Sequence, residues 1–191
     1  MDASTVIEIV RRLAPAASIE AAPSMDMPAV YVGREHLVDV ARILRDDPAL
    51  QFQFFADVTA VDYLPAEPRY EVVYHLASVG LAPKRLRVKV RVPGADARVP
   101  TVTGVFPAAG WPEREVFDLF GLTFDGHSDL RRILLPEDWV GHPLRKDAPV
   151  QVNKETASAS PVQLSPEEFA ANVRAAHDVA RQRAGADKGG S

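Results

Sequence analysis

Between Asp125 and His142 the sequence gathers residue types that could do chemistry. Asp125, His127 and Asp129 alternate, so on an extended segment their side chains would face one way. Together with His142 they make a nitrogen-and-oxygen ligand set of the kind that suits a divalent metal. His127, Ser128 and the flanking aspartates also include the residue types of a hydrolytic triad. Each reading has an ordinary competitor. No Gly-x-Ser-x-Gly elbow presents Ser128 as a nucleophile, and His and Asp are common in polar loops held together by hydrogen bonds. Glu113 and Glu115 stand two apart on an expected helix, so they point in different directions and are not a carboxylate pair. No glycine-rich phosphate loop or dinucleotide fingerprint occurs anywhere in the chain. We therefore read a polar, hydrogen-bonded loop here. A free-standing metal-dependent hydrolase using Asp125, His127, Asp129 and His142 stands as the rival of a different class.

The wider segment from Trp111 to Asp147 holds both tryptophans of the chain and two of its five histidines. Charges of both signs are dense: Glu113, Arg114, Glu115, Asp118, Asp129, Arg131, Arg132, Asp138, Arg145 and Lys146 are interleaved with Phe117, Leu119, Phe120, Ile133 and Leu134. Pro112 suits the start of a short helix and Gly121 suits the position just past its end. On that helix Val116 and Phe120 share a face. Arg114 and Asp118, four apart, can pair for at most ~0.5 kcal/mol if exposed. After Gly121 the chain reads as irregular, with turn residues at Gly126, Pro136, Gly141 and Pro143. The segment is too polar for a core and too patterned for a linker. Trp and Arg are enriched in interface hot spots, so the segment reads as a surface that grips a protein partner rather than as a catalytic pocket.

The elements that must position this surface come before it. Thr5 and Glu8 have capping-box spacing, and Val6, Ile9, Val10 and Leu13 follow on one helical face until Pro15. A turn region rich in Ala, Pro and Met leads to a strand at 29–32. A second amphipathic helix is expected over 34–45, with Leu37, Val40, Ala41 and Leu44 inward. Phe52, Phe54 and Phe55 suggest a buried strand or turn, and 57–63 extends it or forms a loop. Strands are expected over 70–77 and 85–92, joined as an antiparallel hairpin by Gly80 and Pro83. The second alternates strictly, with Leu86, Val88, Val90 and Val92 on one face and Arg85, Arg87, Lys89 and Arg91 on the other. The basic face is either plainly solvated or meets an acidic partner. For 99–105 the signals are mixed. Helices and strands mix without regular βαβ alternation. The fold class is thus α+β, a small and mostly antiparallel sheet with packed helices, followed by an extended charged segment.

Three regions are expected: an α+β domain over 1–108, the signature helix and partner-contact segment over 109–150, and a linker, docking helix and disordered tail over 151–191. The last helix is sharply marked. Ser165 is a good N-cap, Pro166 sits at the first helical position, Glu168 completes a capping box and Leu164 can staple onto Phe169.

Composition excludes several classes. The net charge of -4 speaks against a non-specific nucleic-acid binder. With no cysteine the chain has no disulfide, thiolate-held zinc or cysteine-ligated iron–sulfur cluster. No apolar run approaches the ~20 residues of a membrane span, and the first residues lack the pattern of a secretory signal or transit peptide. Membrane contact, if any, is expected through a partner.

In order and spacing, Glu113-Arg114-Glu115, Asp118-Leu119-Phe120-Gly121, Gly126-His127, Asp129-Leu130-Arg131-Arg132-Ile133-Leu134 and Gly141-His142-Pro143-Leu144-Arg145-Lys146-Asp147 closely resemble a family signature. The family is the C-type, or 30 kDa, subunit of proton-translocating NADH–quinone oxidoreductase, respiratory complex I. Weaker similarity at 57–63, 70–76 and 86–93 extends the resemblance over roughly residues 30–150. Ser128 departs from the family pattern, which commonly has Pro there, and the match fades past Asp147. The resemblance implies a cofactor-free structural subunit of the peripheral arm, on the cytoplasmic face of a bacterial cell membrane. FMN, iron–sulfur clusters and quinone would then sit on other subunits. It implies packing against the D-type subunit near the quinone site, beside the iron–sulfur subunits. Glu113, Arg114, Glu115, Arg131, Arg132, Asp138, Arg145 and Lys146 would make inter-subunit ion pairs. Trp111, Asp118, Asp129, His127 and His142 would complete the interface, the histidines as loop-ordering residues. An equivalent subunit of a related membrane-bound hydrogenase complex is the close alternative.

Overall fold

The computed structural model describes residues 2–80 and 82–149, together with Ser165. The linker expected at 157–161 and the helix expected to follow Ser165 lie outside the described residues.

The chain opens with helix α1 (Ala3–Leu13). Its cap is Asp2, whose carboxylate accepts from the Thr5 amide at 3.0 Å, so the helix starts earlier than the Thr5–Glu8 spacing suggested. An aspartate satisfies an orphan N-terminal amide as well as a threonine does. Val6, Ile9 and Val10 are buried as expected, but Leu13 is exposed at the helix end. The stretch read as a turn contains a short edge strand, β1 (Ile19–Ala21), antiparallel to β2 (Ala29–Val32). Its three residues are too few to display alternation.

After a 3-10 turn at Arg34–His36, helix α2 (Leu37–Asp46) buries Leu37, Val40, Ala41 and Leu44, the four positions its periodicity marks. The phenylalanine cluster and the stretch after it form one long strand, β3 (Phe54–Asp62). Phe52 and Phe55 are buried, while Phe54 faces out. Strands β4 (Tyr70–Ala77) and β5 (Arg85–Val92) form the expected antiparallel hairpin.

The five strands order as β1-β2-β5-β4-β3, antiparallel throughout except for the parallel β2–β5 pair. The inward residues of β4 and β5, among them Tyr70, Val72, Leu86, Val88 and Val90, pack in one core with α1 and α2. The basic face of β5 meets acids of its own chain. Arg87 pairs with Asp26, Arg91 with Glu20, and Lys89 with the buried Glu71 at 2.9 Å.

Strand β6 (Arg98–Pro100), helix α3 (Gly110–Phe120) and strand β7 (Thr123–Asp125) complete the described fold. β6 and β7 pair in parallel as a small second sheet. The irregular reading after Gly121 is therefore corrected at its start: Leu122 and Phe124 are buried in the core that also takes Val116 and Phe120. A three-residue strand with a distant partner leaves little local trace. Among the described residues no helix is long and apolar enough to cross a membrane.

Candidate functional site

Helix α3 is the organiser of the signature segment, and it works mainly through side chains aimed at backbone. Arg114 and Asp118 do not pair with each other, as their spacing had suggested. Arg114 donates to the carbonyls of Arg131 and Arg132, both at 3.0 Å. Asp118 accepts the amides of Ile133, Leu134 and Leu135 at 3.0, 2.8 and 2.9 Å. Arg132 adds a guanidinium contact to Asp118 at 2.7 Å. Two side chains one turn apart thus satisfy both polarities of a loop that has no ladder of its own. Asp118 has no exposed surface. Burial alone would push its carboxyl up, but the three amides and Arg132 outweigh that and hold it below the ordinary value.

The far end of α3 is closed by the second half of the segment. A helix leaves its last carbonyls without intrahelical partners. Here His142 Nδ1 donates to the Asp118 carbonyl at 2.8 Å, the Leu144 amide to Leu119 at 3.0 Å, and Arg145 Nε to Phe120 at 2.6 Å. Gly121 ends the helix with φ 73°, in the left-handed region. A side chain there would also collide, since an added Cβ would lie 2.5 Å from the His142 ring and 2.6 Å from Arg145. Both reasons require glycine.

Two further ties anchor the segment to the domain. Glu113, in the first turn of α3, is fully buried. It accepts from the Thr101 hydroxyl at 2.5 Å and the Val102 amide at 2.9 Å. Burial raises its carboxyl, and the two hydrogen bonds oppose the rise. At the other end Asp62 takes the Lys146 amide at 2.9 Å and a bidentate contact from Arg69, which also reaches Asp147. The Arg69 guanidinium holds the Asp62 carboxyl well below the usual carboxylate range.

The aspartates and histidines of the metal and hydrolase readings are engaged with other groups of the chain. Asp125 is paired with Arg98, and Asp129 with Arg131 at 2.6 Å. His127 donates from Nε2 to the Gly110 carbonyl and accepts the Asp129 amide on Nδ1, both at 3.0 Å. Both ring nitrogens are thereby engaged, so neither is left to activate Ser128. His142 sits at the end of α3. Among the described residues no group of three or more His, Cys, Asp or Glu is arranged to hold a metal.

The expected interface residues divide. Glu113, Arg114, Asp118, Arg132 and Arg145 are turned inward or engaged within the chain. Glu113 in particular has no surface to offer a partner, which corrects its expected place in an inter-subunit ion pair. Glu115, Asp138 and Lys146 are exposed. Arg131 is 76% exposed while paired with Asp129. Trp111 is 66% exposed, with the Arg114 guanidinium 5.2 Å from its ring. Leu134, Val140 and Leu144 are exposed apolar side chains in the same segment. Sequence reasoning missed Thr101, Asp62 and Arg69 as anchors. Asp62 carried a signal, because it follows Val58 and Ala60 on the buried parity of β3. A carboxylate there needs partners.

Fold and site together define a class: a small α+β domain whose helix α3 holds a structured polar loop with an exposed aromatic and charged outer side. The chain belongs to the 30 kDa subunit family of respiratory-chain NADH dehydrogenase, whose model matches residues 30–154; this is the C-type subunit of complex I, as the signature had implied. The NADH-quinone oxidoreductase C-type subunit of Roseiflexus sp. (strain RS-1) is 50% identical over 150 residues, covering 78% of this chain and 86% of that protein. Its counterpart from Geobacter sulfurreducens is 54% identical over 123 residues, covering 64% of this chain and 74% of the relative. Among solved structures, a trypsin-resistant fragment of Nqo5 is 37% identical with a TM-score of 0.54, covering 68% of this chain and all of the fragment. A chain of an archaeal respiratory membrane complex, the membrane-bound sulfane sulfur reductase, is 28% identical with a TM-score of 0.66, covering 86% and 96%.

Proposed function

We propose that this chain is a cofactor-free structural subunit of the peripheral arm of NADH–quinone oxidoreductase. It docks on the D-type subunit near the quinone site, on the cytoplasmic face of a bacterial membrane, next to the iron–sulfur subunits. FMN, iron–sulfur clusters and quinone belong to those partners. The contribution of this chain to electron transfer is to hold sites in fixed relation, since loosely supported sites lose function.

One observation supports this reading above the others. The inner side of the segment is tied to α3 and to the sheet, and its outer side still presents Trp111, Glu115, Arg131, Leu134, Asp138 and Lys146. A loop pinned this firmly loses little conformational entropy on binding. A tryptophan beside charged residues of both signs is what hot spots are made of.

The experiment is assembly. Arg131→Glu is expected to lower the amount of complex recovered from native membranes, while any complex that does assemble turns over normally. Normal assembly with lost turnover would instead assign direct chemistry to the chain. The close alternative is the equivalent subunit of a related membrane-bound complex, for which the likeness to the sulfane sulfur reductase chain speaks. Mass spectrometry of co-purified partners decides it, because only the NADH-linked complex brings flavin- and NADH-binding subunits.

A further inference from the structure

Loop 131–135 is built like an anion-binding site whose occupant is a side chain of the same molecule. The consecutive amides of Ile133, Leu134 and Leu135 converge on one oxygen, Asp118 Oδ2, at 3.0, 2.8 and 2.9 Å. The Arg132 guanidinium donates to the other oxygen at 2.7 Å. Successive backbone N–H groups aimed at one point make a concave nest for anions, and an arginine beside them strengthens it. The carboxylate is fully buried and arrives from helix α3, a separate element. Residues 131–135 have neither helix nor strand of their own. Their carbonyl side is held independently, by Arg114 on the carbonyls of Arg131 and Arg132. What gathers the amides is therefore the negative charge.

We propose that residues 131–135 form an anion nest with Asp118 as its built-in ligand, and that this carboxylate is the positioning group that sets the shape of the loop. The consequence for assembly rests on the docking reading above; the nest itself does not. Emptied of Asp118, the nest would accept a small free carboxylate such as formate. Asparagine is a poor substitute despite its shape, because its amide NH2 brings donors toward donors.

The test uses full-length Asp118→Ala and Asp118→Asn, with hydrogen exchange followed at 133–135 and at β4 and β5. Exchange at 133–135 is expected to rise roughly 10-fold or more in both variants, as a buried charge-assisted hydrogen bond is lost. The amides of β4 and β5, which report global stability, should stay slower to exchange than 133–135 in both variants. Added formate should restore protection in Asp118→Ala, and the neutral formamide of similar shape should not. Parental exchange at 133–135 in Asp118→Asn overturns the proposal, as does equal rescue by formamide. Asp118→Asn carries the exchange measurement whether or not Asp118→Ala folds. Co-purification of partners with the same variants separates the two claims. Loosened amides with normal assembly uphold the nest and overturn the docking role of the loop.

Discussion

The β4–β5 hairpin and the loop from Asp129 to Asp147 are both ordered, but by opposite means. The hairpin is held by a continuous ladder and by side chains buried on one face. The loop has no ladder, and six of its backbone groups are taken one by one by charged side chains of α3 and β3. A sheet tolerates loss of a single contact because its neighbours share the load. A loop gathered around one carboxylate does not. Charge also has two uses within one segment: Asp118, Glu113, Arg114 and Arg145 organise, whereas Arg131, Asp138 and Lys146 are presented.

The largest expected effect falls on the organising set. Asp118→Ala removes the partner of Arg132 and of three amides at a buried site, and should cost ~3–5 kcal/mol in denaturant unfolding. A cost below ~1 kcal/mol, the range of an exposed pair, would erase the distinction between the two regions. Gly121→Ala comes next. The left-handed backbone alone costs ~1–2 kcal/mol for a residue with a Cβ, and the approach of His142 and Arg145 adds to it. Thermal unfolding should place its destabilisation above that of any alanine substitution on the exposed side.

Acid should loosen the loop before the hairpin. Asp62 and Asp118 are both held below their ordinary values. The unfolded chain therefore binds more protons than the folded one as pH drops below ~4. Their stabilisation is complete above the unfolded value and is lost as pH falls toward the depressed folded values. Glu113 acts in the opposite sense, because its raised carboxyl takes a proton more readily in the fold. Hydrogen exchange between pH 5 and 3 should show protection lost first at 133–135 and 146; simultaneous loss in β4 would contradict the contrast between loop and hairpin.

Within the core, the buried Tyr74 hydroxyl has no hydrogen-bond partner among the described residues. Its residue lines an apolar cavity of about 10 Å3 with Phe55, Leu76 and Phe106. Tyr74→Phe should be neutral or stabilising by up to ~1 kcal/mol, and clear destabilisation in a melting curve would mean the hydroxyl is satisfied. Smallest of all, Trp111→Ala should change the stability of the free chain by no more than ~0.5 kcal/mol. Any larger loss in the melting curve would make Trp111 part of the organising set.

Much of the sheet was legible because its signals are local. Strict alternation in 85–92, and the four inward positions of α2, follow from period alone. β1 and β7 were not legible, since strands of three residues depend on distant partners. In the site, Gly121 declared the end of α3, and the two histidines bond backbone groups of the loop and the helix. The roles of Glu113 and Asp118 were hidden. Their charge argued for the surface, and only the folded chain reveals donors waiting for them at Thr101, Val102 and 132–135.

The docking claim is tested most directly by comparing side-chain reactivity in the free chain and in the native complex. Oxidative footprinting at Trp111, Leu134 and Leu144 is expected to show strong protection on assembly, with Val79, exposed on the β4–β5 turn, as the reference. Equal reactivity of Trp111, Leu134 and Leu144 in the free and assembled chain would contradict docking through this face.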